Sequence, residues 1–205
     1  LKGPHVPRWI ANGDFAVQPY IVMEYIPGPS LRMQMLDRQL APEEAAERAI
    51  AVADALSDLH QQHVLHLDLK PANILFRPTG EAVLIDFGLS RHEHLPDLLA
   101  EQFRHPTGTA AYMAPEQLLR VRRERRSDLF ALGAILYQMA CGELPFGSPA
   151  RLADVRRRVW LGPVPPRAIR PEITPALQEI ILKCLEPIPD RRYRTAEELA
   201  FDLRH

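Results

Sequence analysis

HLDLKPANILFRPTGEAVLIDFG, residues 66–88, is the stretch from which the rest of the chain can be laid out. Residues 74–77 and 82–85 are short apolar or β-prone runs, and Pro78, Thr79, Gly80 and Glu81 between them carry the Pro and Gly of a turn. Two strands joined there run antiparallel. With the turn centred on Thr79 and Gly80, Asn73 and Asp86 are equally distant from it and face each other where the hairpin opens. A carboxylate beside an amide oxygen suits Mg²⁺, a hard cation that takes one or two protein oxygens and completes its octahedron with water and phosphate oxygens. Asp68 and Lys70 stand just before the first strand, which puts a base and a cation near the same ion.

Composition sets the outer bounds. A chain of 205 residues, 46% hydrophobic and 25% charged, can bury a substantial core and holds one large domain or two small ones. The formal net charge of −1 gives no global attraction to nucleic acid or anionic membrane, so neither is expected as a partner. Cys141 and Cys184 lie in apolar helical patterns without metal-ligand spacing, the pattern of two buried thiols in a reducing compartment with no disulfide. No run approaches the ~18 apolar residues of a membrane span, and residues 1–9 lack the apolar segment of a signal peptide. The expectation is a soluble, cytoplasmic protein. The first residue is Leu1 rather than Met, which reads as a fragment or a processed chain.

In chain order, residues 6–12 form a weak strand pattern, Gly13 and Asp14 a turn, and residues 20–25 (YIVMEY) a strong β run that ends at Pro27, Gly28 and Pro29. Ser30 can cap a short helix. Pro42 suits a first helical turn, and Ala45, Ala49, Val52, Ala53, Leu56 and Leu59 then recur at helical spacing to about residue 63. Residues 89–113 have no sustained period, so a long functional connection is expected beside the hairpin. Ser127 is placed to cap a helix over 128–141 that is apolar nearly all round and stops at Gly142. Further helices are expected at 150–160, 175–185 and 195–204, the last opening with Thr195, Ala196, Glu197 and Glu198, a capping-box pattern. The fold class is therefore α+β and mainly α-helical.

HLDLKPAN, DFG and APE, in that order and at these separations, resemble the eukaryotic-like Ser/Thr protein kinase family, and GTAAYMAPEQ (108–117) and SDLFALGAILYQMACGELPF (127–146) resemble its bacterial members most. The resemblance runs from about residue 5 to the end. It implies a kinase-like C-terminal lobe over 27–205, with a catalytic-loop hairpin, preceded over 1–26 by a remnant of the small-lobe sheet and the connector between lobes. It implies ATP and Mg²⁺ (or Mn²⁺) as cofactors and protein Ser/Thr hydroxyls as substrates. By that likeness Asp68 orients or deprotonates the acceptor hydroxyl, Lys70 steadies the γ-phosphate, and Asn73 and Asp86 hold the metal. The backbone at Glu24 and Ile26 would bind adenine, Leu75 would pack under the ring, and Thr109 would contact Asp68 and Lys70. Glu116 would pair with Arg192, and Asp128 would brace the backbone at His66 and Leu67. His66 is then structural, since Asp68 fills the catalytic role.

Two departures qualify the likeness. Leu67 stands where the family carries an Arg that reads a phosphate on the activation loop. Activity is therefore expected to depend little on phosphorylation there. Thr107→Ala should leave the rate largely unchanged, and a large loss with normal folding would count against this. Secondly, the three lysines, at positions 2, 70 and 183, include none in the context of the family's small-lobe strand, and no Gly-rich loop precedes residue 5. The rest of the small lobe is expected upstream, the 205 residues alone are expected to turn over negligibly, and apolar surface left exposed could promote self-association. The alternative is a kinase-like lobe that serves as a binding or scaffold module without catalysis. Arg120, Arg122, Arg123, Arg125 and Arg126 read by default as a solvated face, with recognition of an acidic or phosphorylated partner as the sharper alternative.

Overall fold

The hairpin forms, with its register one residue away from the expected one. In the computed structural model, which describes residues 1–14, 16–97, 99, 108–149, 154–155 and 161–205, Ile74 pairs with Leu84, Leu75 with Val83 and Phe76 with Ala82. The loop has three residues, 78–80, not the four between the expected strands. Gly80 donates its N–H to Arg77 O at 2.9 Å, Arg77 donates to Glu81 O at 2.9 Å, and Gly80 takes φ +101°. That is a turn with a left-handed third residue, a bulge that Gly occupies without strain. The odd loop length centres the pairing on Thr79. Asn73 O therefore accepts from Ile85 N (3.0 Å), and Asp86 stands one step further on with φ +64° instead of directly opposite Asn73.

Among the described residues the chain builds three two-stranded antiparallel ladders, the hairpin being one, and a helical body. Strands β1 (Trp9–Asn12) and β2 (Ile21–Met23) pair with an irregularity after Trp9. Helix α1 (Leu31–Asp37) starts where Ser30 Oγ accepts from Met33 N, as its cap position predicts. Helix α2 (Pro42–Gln61) opens with Pro in its first turn, and all six residues of its predicted apolar stripe are buried. Strand β3 (Val64–Leu65) follows, then β4 (Ile74–Phe76) and β5 (Ala82–Leu84) of the hairpin, and β6 (Arg91–His92), which pairs with β3. The β3 and β6 strands, two residues each, are too short to leave a period in the sequence.

Helix α3 (Arg126–Cys141) runs through the centre of the core and ends at Gly142, φ +82°, whose N–H reaches Gln138 O. It starts two residues earlier than expected. Ser127 lies inside it and gives its hydroxyl to Glu116 Oε1 at 2.7 Å, so it is not the cap. Gly133 is where α3 meets Cys184: a Cβ there would stand 2.4 Å from Cys184 Cβ, so only Gly admits this approach. A short turn α4 (Pro166–Ile169) precedes α5 (Pro175–Cys184), capped by Thr174, and α6 (Ala196–Arg204), capped by Thr195. The Glu198 carboxylate reaches Arg194 N, one residue before the N–H that a full capping box would use. Helix α6 packs on α2, and α2 on α3, while the hairpin rests on α2 through β5 and on α1 through β4.

Both cysteines are free; Cys184 is buried, with its thiol pushed up to about 12 by desolvation, while Cys141 is only half-buried, against expectation. The helix expected at 150–160 lies outside the described residues apart from 154–155. Among the described residues no helix is long and apolar enough to cross a membrane.

Candidate active site

Four segments converge on residues 66–69. His66 N (2.9 Å) and Leu67 N (2.8 Å) donate to the two carboxylate oxygens of Asp128 on α3, and Gln117 Nε2 donates to Leu67 O at 2.9 Å. Leu67 itself has φ +63°, a left-handed conformation that a branched apolar residue adopts only when its surroundings hold it there. Those three bonds do so. The His66 ring is fully buried, with Nε2 3.1 Å from Ile85 O and Nδ1 accepting from Asp68 N, as expected of a structural group.

Asp68 is presented by this frame with both carboxylate oxygens engaged. Oδ2 accepts from Lys70 Nζ at 2.7 Å. Oδ1 accepts from Thr109 N at 2.7 Å and Thr109 Oγ1 at 2.8 Å. Charge-assisted bonds of this kind are short and strong, and they aim the carboxylate. Asn73 Nδ2 donates to Asp68 O at 3.1 Å, which fixes the amide and leaves its oxygen as an acceptor. Asp86 is exposed, and its Oδ1 takes only a long contact of 3.4 Å from Gly88 N. Hence Asp68, Lys70, Asn73 and Thr109 are brought together, and Asp86 stands past the end of β5 across the hairpin from Asn73.

Leu75 is half-buried between the buried Ile74 and Phe76, so it points to the face of the hairpin away from the helices. Ile26 is buried and Glu24 N donates to Arg8 O, which makes residue 24 an extension of the β1–β2 ladder. The Glu24 side chain does something the sequence reading missed. Its carboxylate takes two bonds from the Arg77 guanidinium (2.7 and 3.1 Å) and one from Arg8 N, tying the end of β2 to the hairpin. These bonds, Arg77 first, hold its pKa down to about 2.

Glu116 and Arg192 pair through two bonds of 2.7 and 2.8 Å, and the Arg192 side chain is completely buried. His60 was not anticipated: from α2 its Nε2 lies 2.9 Å from Asp128 Oδ2. A lone His on an apolar helix face carries no signal of its partner. Burial alone would raise the Asp128 pKa, but the hydrogen bonds from His60 and the Leu67 N–H outweigh it and hold the carboxyl below its ordinary range. The sign follows from linkage: the stabilisation is fully present above the unfolded carboxylate pKa of about 3.9 and is lost as pH falls through the lower folded value. Asp128→Asn should therefore lower the urea midpoint at pH 7, and the gap to wild type should close as pH drops below about 4. A gap that stays constant from pH 7 to pH 2.5 would contradict this.

The basic cluster is mostly neutralised rather than solvated. Arg125 bonds Glu93, Arg126 bonds Glu124 and Asp190, and Arg122 donates to Asp97 Oδ2 (2.8 Å) and Leu89 O (2.9 Å). Arg91 on β6 approaches the same Asp97 oxygen at 3.7 Å, and all three side chains are nearly buried. Burial raises the Asp97 pKa, but the bond and charge of Arg122 bring it below the ordinary range. Asp97 thus fixes the chain after β6 to the segment that leads into α3. Thr107 lies outside the described residues.

Comparison with known proteins agrees with this arrangement. The family model described as the protein kinase domain matches residues 8–202. A serine/threonine-protein kinase PknB of Mycolicibacterium smegmatis is 38% identical over 186 residues, covering 90% of this chain and 30% of that protein. A probable serine/threonine-protein kinase of Streptomyces coelicolor is 36% identical over 186 residues (90% and 28%), and PknB of Mycobacterium tuberculosis 35% identical over 186 residues (90% and 30%). The chain spans under a third of the length of these relatives. With a match over nearly its whole length and an Asp–Lys–Asn–Thr cluster where that likeness requires one, the chain belongs to the protein kinase domain family.

Proposed function

We propose that this chain is the large lobe and interlobe connector of a protein kinase that transfers the γ-phosphoryl group of ATP to Ser or Thr hydroxyls of proteins. The observation that carries the reading is the Asp68 carboxylate, aimed by Lys70 on one oxygen and by Thr109 on the other. A hydroxyl arriving beside it meets a positioned acceptor for its proton, and Lys70 supplies a cation for the charge of the transferred group. Thr109, bonded through both its N–H and its hydroxyl, ties the loop that holds the acceptor residue to the base. Positioning of this kind supplies much of the rate in phosphoryl transfer.

The donor set fits Mg²⁺. Asn73 offers an amide oxygen and Asp86 an exposed carboxylate, two hard oxygens flanking the open end of one hairpin. When bound there the ion supplies charge neutralisation for the nucleotide phosphates. Glu24, Ile26 and Leu75 form the edge where adenine would lie, between the connector and the hairpin. Residues 1–26 are the end of the small lobe and the connector, and the remainder of the ATP-clamping half lies outside these 205 residues. The relatives, more than three times as long, support this, as do the exposed Trp9, Ile10, Tyr20, Ile21 and Met23 on and beside the β1–β2 ladder.

The test is transfer of labelled phosphate from ATP to a generic protein substrate by the longest natural polypeptide that carries this chain, followed by phosphoamino-acid analysis. Phosphoserine and phosphothreonine are the expected products. No transfer at any Mg²⁺ or Mn²⁺ concentration would favour the scaffold reading.

A further inference from the structure

Beside Asp68 lies an open groove of about 480 Å³, within the range of ligand pockets. Its walls are α1 with the turn after it, residues 70–72, residues 109–112 and the end of α3. It touches Lys70 and Thr109, the two residues bonded to Asp68, so residues flanking an acceptor hydroxyl at Asp68 would enter it. The walls are tied together before any ligand arrives. Gln39 Nε2 donates to Met139 O at 2.7 Å, Arg170 NH1 donates to Leu40 O at 2.7 Å and Ala140 O at 3.0 Å, and Tyr112 OH donates to Gln138 Oε1 at 2.7 Å.

The charges in this groove are of one sign. Among the described residues its charged lining is Arg32, Arg38 and Lys70, with no carboxylate, in a protein whose net charge is −1. Arg38 is committed to Glu44 by two bonds of 2.8 and 2.7 Å, and Lys70 is committed to Asp68. Arg32 is exposed on the first turn of α1 and pairs with no carboxylate among the described residues. Next to it the groove is apolar: Leu36 is 71% exposed, and Met35 and Met139 line the same wall.

We propose that the groove selects peptide segments carrying an acidic side chain close to the acceptor Ser or Thr, with Arg32 as the residue that reads it and the neighbouring apolar wall taking a hydrophobic side chain. This rests on the kinase reading above and names its substrate class. An acidic side chain gains the uncommitted guanidinium, whereas a basic one meets that same cation with no uncommitted carboxylate in the lining to offset it. Electrostatic discrimination of this type works as much by rejecting the wrong sign as by binding the right one.

The experiment uses the longest natural polypeptide carrying this chain and a Ser/Thr peptide set in which each flanking position is in turn Glu, Ala or Lys. Glu at one position should raise kcat/KM about fivefold over Ala, the scale of a partly exposed ion pair, and Lys there should lower it. Arg32→Glu should invert the order at that position alone, and Arg32→Lys should keep it. The same peptides with Ala at the acceptor position, followed by fluorescence anisotropy, should show the same order in binding, so this arm stands whether or not transfer occurs. Equal response to Glu and Lys at every position, or a preference unmoved by Arg32→Glu, overturns the inference. Transfer that ignores flanking charge would sink this inference alone and leave the kinase reading standing, whereas charge-selective binding without transfer would do the reverse.

Discussion

Asp68→Asn is expected to lower phosphoryl transfer by roughly 10²–10⁴-fold, the range lost with a general base, while the protein stays folded. The side chain is isosteric, but among the described residues every partner of the Asp68 carboxylate is a donor: Lys70 Nζ, Thr109 N and Thr109 Oγ1. An amide must turn its NH₂ toward one of them, so the geometry loosens at the point where it lost its proton acceptor. The loss should fall on kcat, with KM for ATP little changed, because Asp68 lies among the acceptor-side groups and Asn73 and Asp86 remain. Steady-state kinetics of the longer polypeptide, with thermal melts of both proteins, checks this. A rate within threefold of wild type would remove Asp68 from the chemistry and with it the main support for a kinase.

Arg192→Ala is expected to produce the largest loss of stability, about 3–5 kcal/mol, the cost of leaving one member of a buried pair uncompensated. The guanidinium makes two bonds to Glu116 and three more to the carbonyls of Arg126, Glu186 and Pro187, and its Cζ lies 4.9 Å above the Phe130 ring. Truncation strands the Glu116 carboxylate with Ser127 Oγ as its one remaining donor among the described residues. For a chain of this size that corresponds to a fall of about 10 °C in the unfolding midpoint. Replacing both partners, Arg192→Met with Glu116→Gln, should recover part of the loss, because no full charge then remains buried. A single-variant loss below about 1 kcal/mol would mean that water reaches Glu116 freely.

What could be read without coordinates was whatever depends on neighbours in sequence. The caps at Ser30, Thr174 and Thr195, the stop at Gly142 and the apolar stripe of α2 are local facts, and they stand in the structure. The hairpin was readable too, but its register was not. A Pro-Thr-Gly loop admits an even or an odd count, and the bulge at Gly80 chose the odd one. Ser127 had the residue type and position of a cap, yet Glu116, eleven residues earlier, claimed its hydroxyl. Contacts between distant segments left no trace in spacing: His60 on Asp128, Gln117 on Leu67, Arg77 on Glu24 and Arg122 on Asp97. Glu116 with Arg192 and Asp128 with the 66–67 backbone were expected only because the family likeness named them.

The tie between Asp97 and Arg122 bears on how such a protein could be controlled. Leu67 stands where the family resemblance implied an Arg that reads a phosphate, and here the segment after β6 is moored by a carboxylate that is part of the polypeptide. A carboxylate is not a mark that one enzyme writes and another erases. No phosphatase can release this mooring, and no upstream kinase is needed to make it. At this one joint, the chain carries its setting from the moment it folds.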